Sequence, residues 1–368
     1  MTTSTGVMEG LEKIDILFEG FFPWLAGQYD PKTGGFYYAR SSIHHKLYEP
    51  DIESTSQALN ILIRNNLLKD IPSQMADKMI AFYQQKQDSM TGYFFDENPA
   101  MKKDEVMVHR ALSYSFGSLG KLGSNPRHPL PLMAKTAPAY VKTPESYLEK
   151  WKSIDMRNSW RGCDLLGSSC MYIGEMNEED RRPFLEEAQR YLESIQDPVT
   201  GLWGDGSLYV RISGTFKLHG FYSRFNLPMP NTEKIYQSLL TCLRTEEAHD
   251  MCYIRNPINL LSYIKRDIPH QELEEIIQIT AENMKKLKRP DGGFSRESGN
   301  SPSAPNVAQV KGEYYPDMPE AVHLSEGLFE GDMNASTQAV LIRLQCYELA
   351  GESYRPIYGS SNFYKLLK

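Results

Sequence analysis

The chain has 368 residues, of which 40% are hydrophobic and 24% are charged, as in ordinary globular proteins. Its four Trp, 22 Tyr and 15 Phe residues can bury a large core, which excludes extensive disorder. The net charge of -7 and the lack of a basic stripe argue against nucleic-acid binding, and no apolar run is long enough for a membrane span.

A short sequence motif, which we call the turn phrase, recurs along the chain after stretches of helical periodicity. Its copies are residues 30–36 (DPKTGGF), 88–94 (DSMTGYF), 197–203 (DPVTGLW) and 290–294 (PDGGF). Proline next to aspartate does not continue a helix, and glycine supplies a tight turn. The phrase therefore predicts the end of a helix, with the aromatic residue packed back against it.

The repeat predicts six helical hairpins of about 56 residues each, because such a unit holds two helices and two loops. The first helices of the hairpins are predicted near 9–26, 72–87, 143–153, 178–195, 231–246 and 270–288. The second helices are predicted near 52–66, 106–120, 161–175, 215–225, 252–266 and 333–349. Strand signals are scarce, so the predicted fold class is all-α.

The first and last hairpins resemble each other. Residues 51–59 (DIESTSQAL) match residues 332–340 (DMNASTQAV), five repeat units further on. Hairpins of this kind form either an open solenoid or a closed toroid, and the end units of a solenoid are usually atypical. The match therefore favours closure, with the two segments as neighbours. We expect a single α/α toroid domain over 1–368, with a long irregular insertion near 295–331.

Two copies of the turn resemble the repeat of squalene cyclases and protein prenyltransferases. They are residues 191–203 (YLESIQDPVTGLW) and 287–294 (LKRPDGGF), with Lys286 or Lys288 near the place of the repeat's glutamine. The resemblance implies the α/α toroid, which six-hairpin glycosidases and polysaccharide lyases share, so it leaves the chemistry open. The nearest match to the Asp-x-Asp-Asp acid motif of terpene cyclases is Asp51-Ile-Glu53-Ser54, which lacks the fourth acid. The zinc-binding motif of prenyltransferases is missing.

The candidate site residues lie where the second helices are predicted to begin, because those first turns would line the cavity of a toroid. The catalytic candidates are Asp51, Glu53, His109, His219 and Asp332. Carboxylate pairs and imidazoles can divide acid and base roles between them. The substrate-binding candidates are Arg110, Asp164, Lys217, Arg224, Tyr253, Arg255, Asn256 and Asn334, whose guanidinium and polar groups suit an anionic or hydroxylated ligand.

Each candidate also has a structural interpretation. Asp51 and Asp332 stand where N-caps belong, lone histidines are often core residues, and the cations can neutralise neighbouring acids. The five cysteines include no CxxC pair, and the first ten residues lack a signal peptide, so we expect reduced thiols and a cytoplasmic location. No convergent set of three ligands is apparent, so no metal or other cofactor is expected.

The polar residues predicted at the starts of the second helices lead to three functional hypotheses. The first is acid–base hydrolysis or elimination of a polar, anionic, carbohydrate-like substrate, either a small molecule or an oligosaccharide. The second is a terpenoid cyclase or isomerase that protonates its substrate through Asp51 or Glu53. The third is a non-catalytic binding module. In a binding module, the insertion near 295–331 would plug the mouth of the toroid. In an enzyme, we expect it to act as a lid, with Tyr314, Tyr315 and His323 as substrate contacts. The oligomeric state is left open.

Overall fold

The computed structural model describes residues 5–264, 267–305 and 319–367. Within them lie short 3₁₀ turns, isolated β-bridges and no β-strand. No helix of these residues is both long and apolar enough to cross a bilayer. The α-helices are α1 (Thr5–Ile16), α2 (Phe21–Gly27), α3 (Arg40–Ile43), α4 (Ile52–Arg64), α5 (Ser73–Gln85), α6 (Glu105–Lys121), α7 (Pro144–Lys152), α8 (Ser159–Gly174), α9 (Glu178–Ile195), α10 (Leu208–Arg224), α11 (Thr232–Thr245), α12 (Met251–Ile264), α13 (His270–Leu287), α14 (Met333–Leu349) and α15 (Phe363–Leu366).

The all-α prediction is confirmed, and the helices have the hairpin order that the repeat predicts. The predicted first helix is divided into α1 and α2, where Gly20 adopts the left-handed conformation with φ of 75°. The other first helices correspond to α5, α7, α9, α11 and α13. The second helices correspond to α4, α6, α8, α10, α12 and α14. The largest difference is α10, which begins at Leu208 rather than near 215.

The chain divides into two compact units, which are described separately. The first unit comprises the described residues among 1–85, 247–307 and 321–368, and therefore contains α1–α5 and α12–α15. The second unit contains residues 86–246, and therefore α6–α11. The expectation of one toroid domain that joins all six hairpins stays a prediction.

In the first unit, α4 and α14 lie side by side. The Thr337 hydroxyl donates a hydrogen bond to the carbonyl of Gln57 at 3.2 Å, which joins the two helices one turn below their starts. On its other side α14 packs against α12, and α1 packs against α13. The prediction that the first and last matching segments are neighbours is therefore confirmed.

The turn phrase ends each helix as predicted. In the first copy, the Gly34 N–H donates to the carbonyl of Asp30 at 2.9 Å, and Gly34 has a φ of 81°. The Asp30 carboxylate accepts the N–H of Thr33 at 3.2 Å. The same bonds recur around Gly92 and Gly201. Only glycine takes this backbone conformation without strain, so glycine is required at this position.

The residue before the turn holds it closed. The side-chain amides of Gln87 and Gln196 donate to the carbonyls of Gly92 and Gly201 at 3.1 and 2.8 Å. In the fourth copy, the Lys288 ammonium donates to the carbonyl of Gly292 at 2.7 Å. Lys288, rather than Lys286, therefore makes the hydrogen bond that Gln87 and Gln196 make in the other copies.

The two described segments of the insertion, before residue 306 and after residue 318, are hydrogen-bonded to each other. The Ser301 N–H donates to the carbonyl of Leu328 at 2.8 Å, and the Leu324 N–H donates to that of Ser303 at 2.7 Å. His323 bonds to the Ser303 hydroxyl at 2.6 Å, so the side chain predicted as a substrate contact joins the two flanks. Tyr314 and Tyr315, the other predicted lid contacts, lie outside the described residues.

The early start of α10 has a long-range cause. The two carboxylate oxygens of Glu246, just after α11, accept the N–H groups of Leu208 and Tyr209 at 2.9 and 3.0 Å. Ser207 also accepts the N–H of Val210 at 3.4 Å. Together they satisfy donors that a helix start leaves unbonded, so the helix begins before its apolar periodicity shows it.

In the second unit, α8 and α10 approach closely because Gly214 has no side chain. A Cβ placed at Gly214 would lie 2.5 Å from the carbonyl oxygen of Ser159, the first residue of α8. A Cβ atom does not approach another heavy atom this closely in real proteins, so the two helices would have to separate.

We predict that Gly214→Ala lowers the free energy of unfolding by about 1–3 kcal/mol, the usual cost of overpacking. Gly220→Ala is the matched control in the same helix, because a Cβ there meets nothing within 4 Å. It should raise stability by up to about 1 kcal/mol through helix propensity. Urea unfolding of both variants measures the difference, and equal effects would contradict the close packing of α8 on α10.

Candidate active site

The site candidates of the first unit surround the starts of α4 and α14. Asp51 precedes α4, and its Oδ1 accepts the N–H of Ser54 at 2.8 Å. Asp332 precedes α14, and its Oδ1 accepts the N–H of Ala335 at 2.7 Å. Both aspartates are buried. They are N-caps, so the structural interpretation of both residues holds.

Asp332 has further partners. Its Oδ2 accepts the Ser301 hydroxyl at 2.6 Å and the N–H of Arg296 at 2.8 Å. Burial raises the pKa of Asp332 to about 6, although the hydrogen bonds from Ser301, Ala335 and Arg296 lower it. Burial in a medium of low polarity disfavours the charged form, and here its effect exceeds that of the donors.

Arg296 is a functional candidate that sequence reasoning missed. Its side chain is 1% exposed, and its Nε donates to Oδ2 of Asp250 at 2.8 Å. Asp250 in turn accepts the N–H of Cys252 in the first turn of α12 at 2.7 Å. Arg296 thus joins the starts of α12 and α14. It lies in the irregular insertion, where no periodicity marks a buried residue.

Glu53 is the acid in the first turn of α4 that does not act as an N-cap. Its Oε1 accepts the side-chain amide of Gln57 at 2.9 Å and that of Asn334 at 3.2 Å. The Asn334 Oδ1 accepts the amide of Gln338 at 2.6 Å. All four side chains are buried. Glu53 and Asn334, two of the predicted site residues, are therefore brought together at the contact between α4 and α14.

Two side-chain amides hold one oxygen of the Glu53 carboxyl group. Oε1 accepts two N–H groups, which occupy both of its lone pairs. Gln57 and Gln338 were visible in the sequence as the glutamine that the two matching segments share, but that match assigned them no role.

The three candidates on α12 lie on a helix that packs against α14. Tyr253 and Asn256 are buried, and Arg255 is half-buried. The preceding residue, Cys252, is reached by the side chain of Gln338, and burial raises the pKa of its thiol to about 11. Substrate binding by the three candidates stays a prediction.

In the second unit, the two candidate histidines are not equivalent. His109, in the first half of α6, is 2% exposed, and its Nδ1 lies 3.0 Å from the Ser168 hydroxyl. Burial lowers its pKa to about 4, so the imidazole is neutral at neutral pH. His219 lies well inside α10, where its Nδ1 donates to the carbonyl of Phe216. The prediction that His219 opens a helix is wrong, because Glu246 starts α10 earlier.

The charged candidates of the second unit are paired with one another or with neighbours. Lys217 forms an ion pair with Asp164 at 3.2 Å and lies 4.6 Å above the ring of Trp160. Arg224, the last residue of α10 rather than a residue near its start, pairs with Glu175 at 3.7 Å. The guanidinium of Arg110 lies 5.9 Å above the ring centre of Tyr114.

A second buried ion pair, besides that of Arg296 with Asp250, was not predicted from the sequence. Arg161, in the first turn of α8, donates to Oδ1 of Asp104 at 3.0 Å, and both side chains are at most 3% exposed. Asp104 is the N-cap of α6. Among the residues that the structure describes, no three His, Cys, Asp or Glu side chains are placed to hold a metal ion.

No family model and no curated protein matches the chain. The structure is similar to a variant of the type II terpene cyclase MstE from Scytonema in complex with geranylgeranyl dihydroxybenzoate, at 12% identity and a TM-score of 0.48, over 94% of this chain and 99% of that chain. A second variant of the same enzyme gives 11% and 0.46, over 93% and 99%. A protein from Actinoplanes gives 11% and 0.39, over 94% and 99%. Likeness this distant transfers no activity, so the function is argued from the chain's own residues.

The pKa of Asp332 predicts a pH dependence of stability. It is higher in the folded chain, at about 6, than the roughly 3.9 of an unfolded aspartate. The native state therefore holds this proton more tightly. The contribution is present below about pH 4 and is lost as the pH rises through 6, which amounts to about 3 kcal/mol.

We expect Asp332→Asn to lack this loss, so the stability of the natural chain relative to the variant should fall by about 3 kcal/mol between about pH 4 and pH 7. Urea unfolding across this range measures it. Asp77→Asn, on the exposed side of α5, controls for the removal of one negative charge. A pH-independent difference between the natural chain and Asp332→Asn would contradict the raised pKa.

Proposed function

We propose that the chain is an enzyme that protonates an unsaturated, terpenoid-like substrate, as an isomerase or a cyclase, with Glu53 as the proton donor. The observation that carries this proposal is that the three acids at the starts of α4 and α14 have different hydrogen-bond partners. Asp51 and Asp332 cap their helices, whereas Glu53 accepts hydrogen bonds from two side-chain amides. Glu53 is therefore the carboxyl group of this cluster that is not needed as a helix cap.

The proposed step is a proton transfer from the Glu53 carboxyl group to one carbon of a double bond, which leaves a cation on the other carbon. The carboxylate that remains keeps its hydrogen bonds from Gln57 and Asn334. It also lies in the first turn of α4, where the helix dipole stabilises an anion. Loss of a proton from the cation to water ends the reaction, and the solvent reprotonates Glu53.

This proposal reverses the order of the sequence hypotheses. Hydrolysis of a glycoside normally needs a second carboxyl group that acts as nucleophile or base. The two aspartates beside Glu53 have oxygens bonded to backbone N–H groups, and Asp332 also bonds Ser301. Two of the cations predicted to bind an anionic ligand, Lys217 and Arg224, are paired with carboxylates of the chain, which weakens the case for such a ligand.

The test uses substrates with terminal trisubstituted alkenes, such as prenylated aromatic acids and prenyl diphosphates, in D₂O. Protonation at carbon places one solvent deuterium on a carbon atom of the product, which mass spectrometry detects. Protonation of a glycosidic oxygen leaves no such label. We predict that Glu53→Gln lowers the rate by about 10²–10⁴-fold, the usual contribution of a general acid.

Glu12→Gln is the matched control, because it makes the same substitution at an exposed position of α1. It should retain full activity. Conversion of glycosides or uronides in place of the alkenes would support the carbohydrate hypothesis instead. Turnover of an alkene by Glu53→Gln at the natural rate would exclude Glu53 as the donor, and no conversion of any substrate would favour a binding module.

A further inference from the structure

A pocket of the first unit lies between α2 and α3, and none of its lining residues takes part in the proposed reaction. Its volume is about 360 Å³, within the range of small-molecule sites. Its lining includes Trp24 of α2, Gln28 just after α2, Arg40, Ile43 and His44 from the region of α3, and Asp291 from the fourth turn.

The pocket carries one permanent charge of each sign. Arg40 is exposed and makes no ion pair among the residues that the structure describes. Asp291 is held rigidly, because its Oδ1 accepts the N–H of Gly293 and its Oδ2 that of Gly331, each at 2.9 Å. A carboxylate has about four acceptor positions, so Asp291 can still bind a cationic group.

The floor of the pocket adds polar groups of both kinds. Gln28 and Trp24 are 1% and 4% exposed. The Gln28 Nε2 donates to the carbonyl of Trp24 at 3.3 Å, which leaves its Oε1 directed elsewhere. Neither this oxygen nor the indole Nε1 of Trp24 has a hydrogen-bond partner in the part of the chain that the structure describes. Both atoms are inaccessible, so the charged groups that a ligand in the pocket would meet are Arg40 and Asp291.

We propose that this pocket binds a small zwitterion, a molecule with a carboxylate and an ammonium group such as a free amino acid. Arg40 would bind the carboxylate, since a guanidinium donates two parallel hydrogen bonds to it. Asp291 would bind the ammonium group. A zwitterion keeps both pocket charges compensated, whereas a simple anion would leave Asp291 facing like charge.

Isothermal titration calorimetry with the full chain tests the proposal. The probes are glycine, β-alanine, 4-aminobutanoate and 6-aminohexanoate, which place the two charges progressively further apart, together with the natural amino acids. At least one probe should bind, and its N-acetyl and methyl ester derivatives, which each lose one charge, should bind about tenfold more weakly or not at all. If no zwitterion binds, or if the derivatives bind equally well, the proposal is wrong.

Variants assign the binding to this pocket. Arg40→Ala removes an exposed side chain, so it should fold normally and weaken binding of the zwitterion by about tenfold or more. Lys46→Ala, which removes an exposed cation outside the pocket, is the matched control and should bind as the natural chain does. Equal affinities of the two variants would place the ligand elsewhere. Glu53→Gln should also bind normally, which separates this result from the test of the proposed reaction.

Discussion

The first backbone N–H groups of the second helices are buried or partly buried and need acceptors, and much of the polar architecture follows from this need. Asp51, Asp104 and Asp332 supply a carboxylate to α4, α6 and α14. Asp250 does so for α12, and the distant Glu246 does so for α10. Buried donors without partners would cost each helix start free energy comparable to a lost hydrogen bond, so short polar acceptors are required there.

Carboxylates placed in this way create a second requirement, because a buried charge must itself be compensated. Arg161 compensates Asp104, and Arg296 compensates Asp250 while its backbone N–H binds Asp332. Each of these two carboxylates is therefore compensated by an arginine of its own unit.

The proposed chemistry depends on a departure from internal symmetry. The matching segments place Glu53 and Asn334 at equivalent positions of α4 and α14, with Gln57 and Gln338 one turn further on. Two acids here would repel each other, whereas an acid and an amide form a directed hydrogen bond. The amide from the last hairpin orients the acid of the first. The pairing of the two helices therefore produces a group that neither segment has alone.

Twelve helices could be predicted from local sequence, together with the turn that ends four of them and the contact between the first and last hairpins. Those features depend on local periodicity, on glycine conformation and on the similarity of residues 51–59 to residues 332–340. Tertiary structure alone decided the start of α10 and the burial of Arg296. Glu246 and Asp250 are remote in sequence from the groups that they bind, so no local pattern reports these contacts. The partners of Glu53 likewise required the folded chain, because a side-chain hydrogen bond between two helices depends on their distance and rotation.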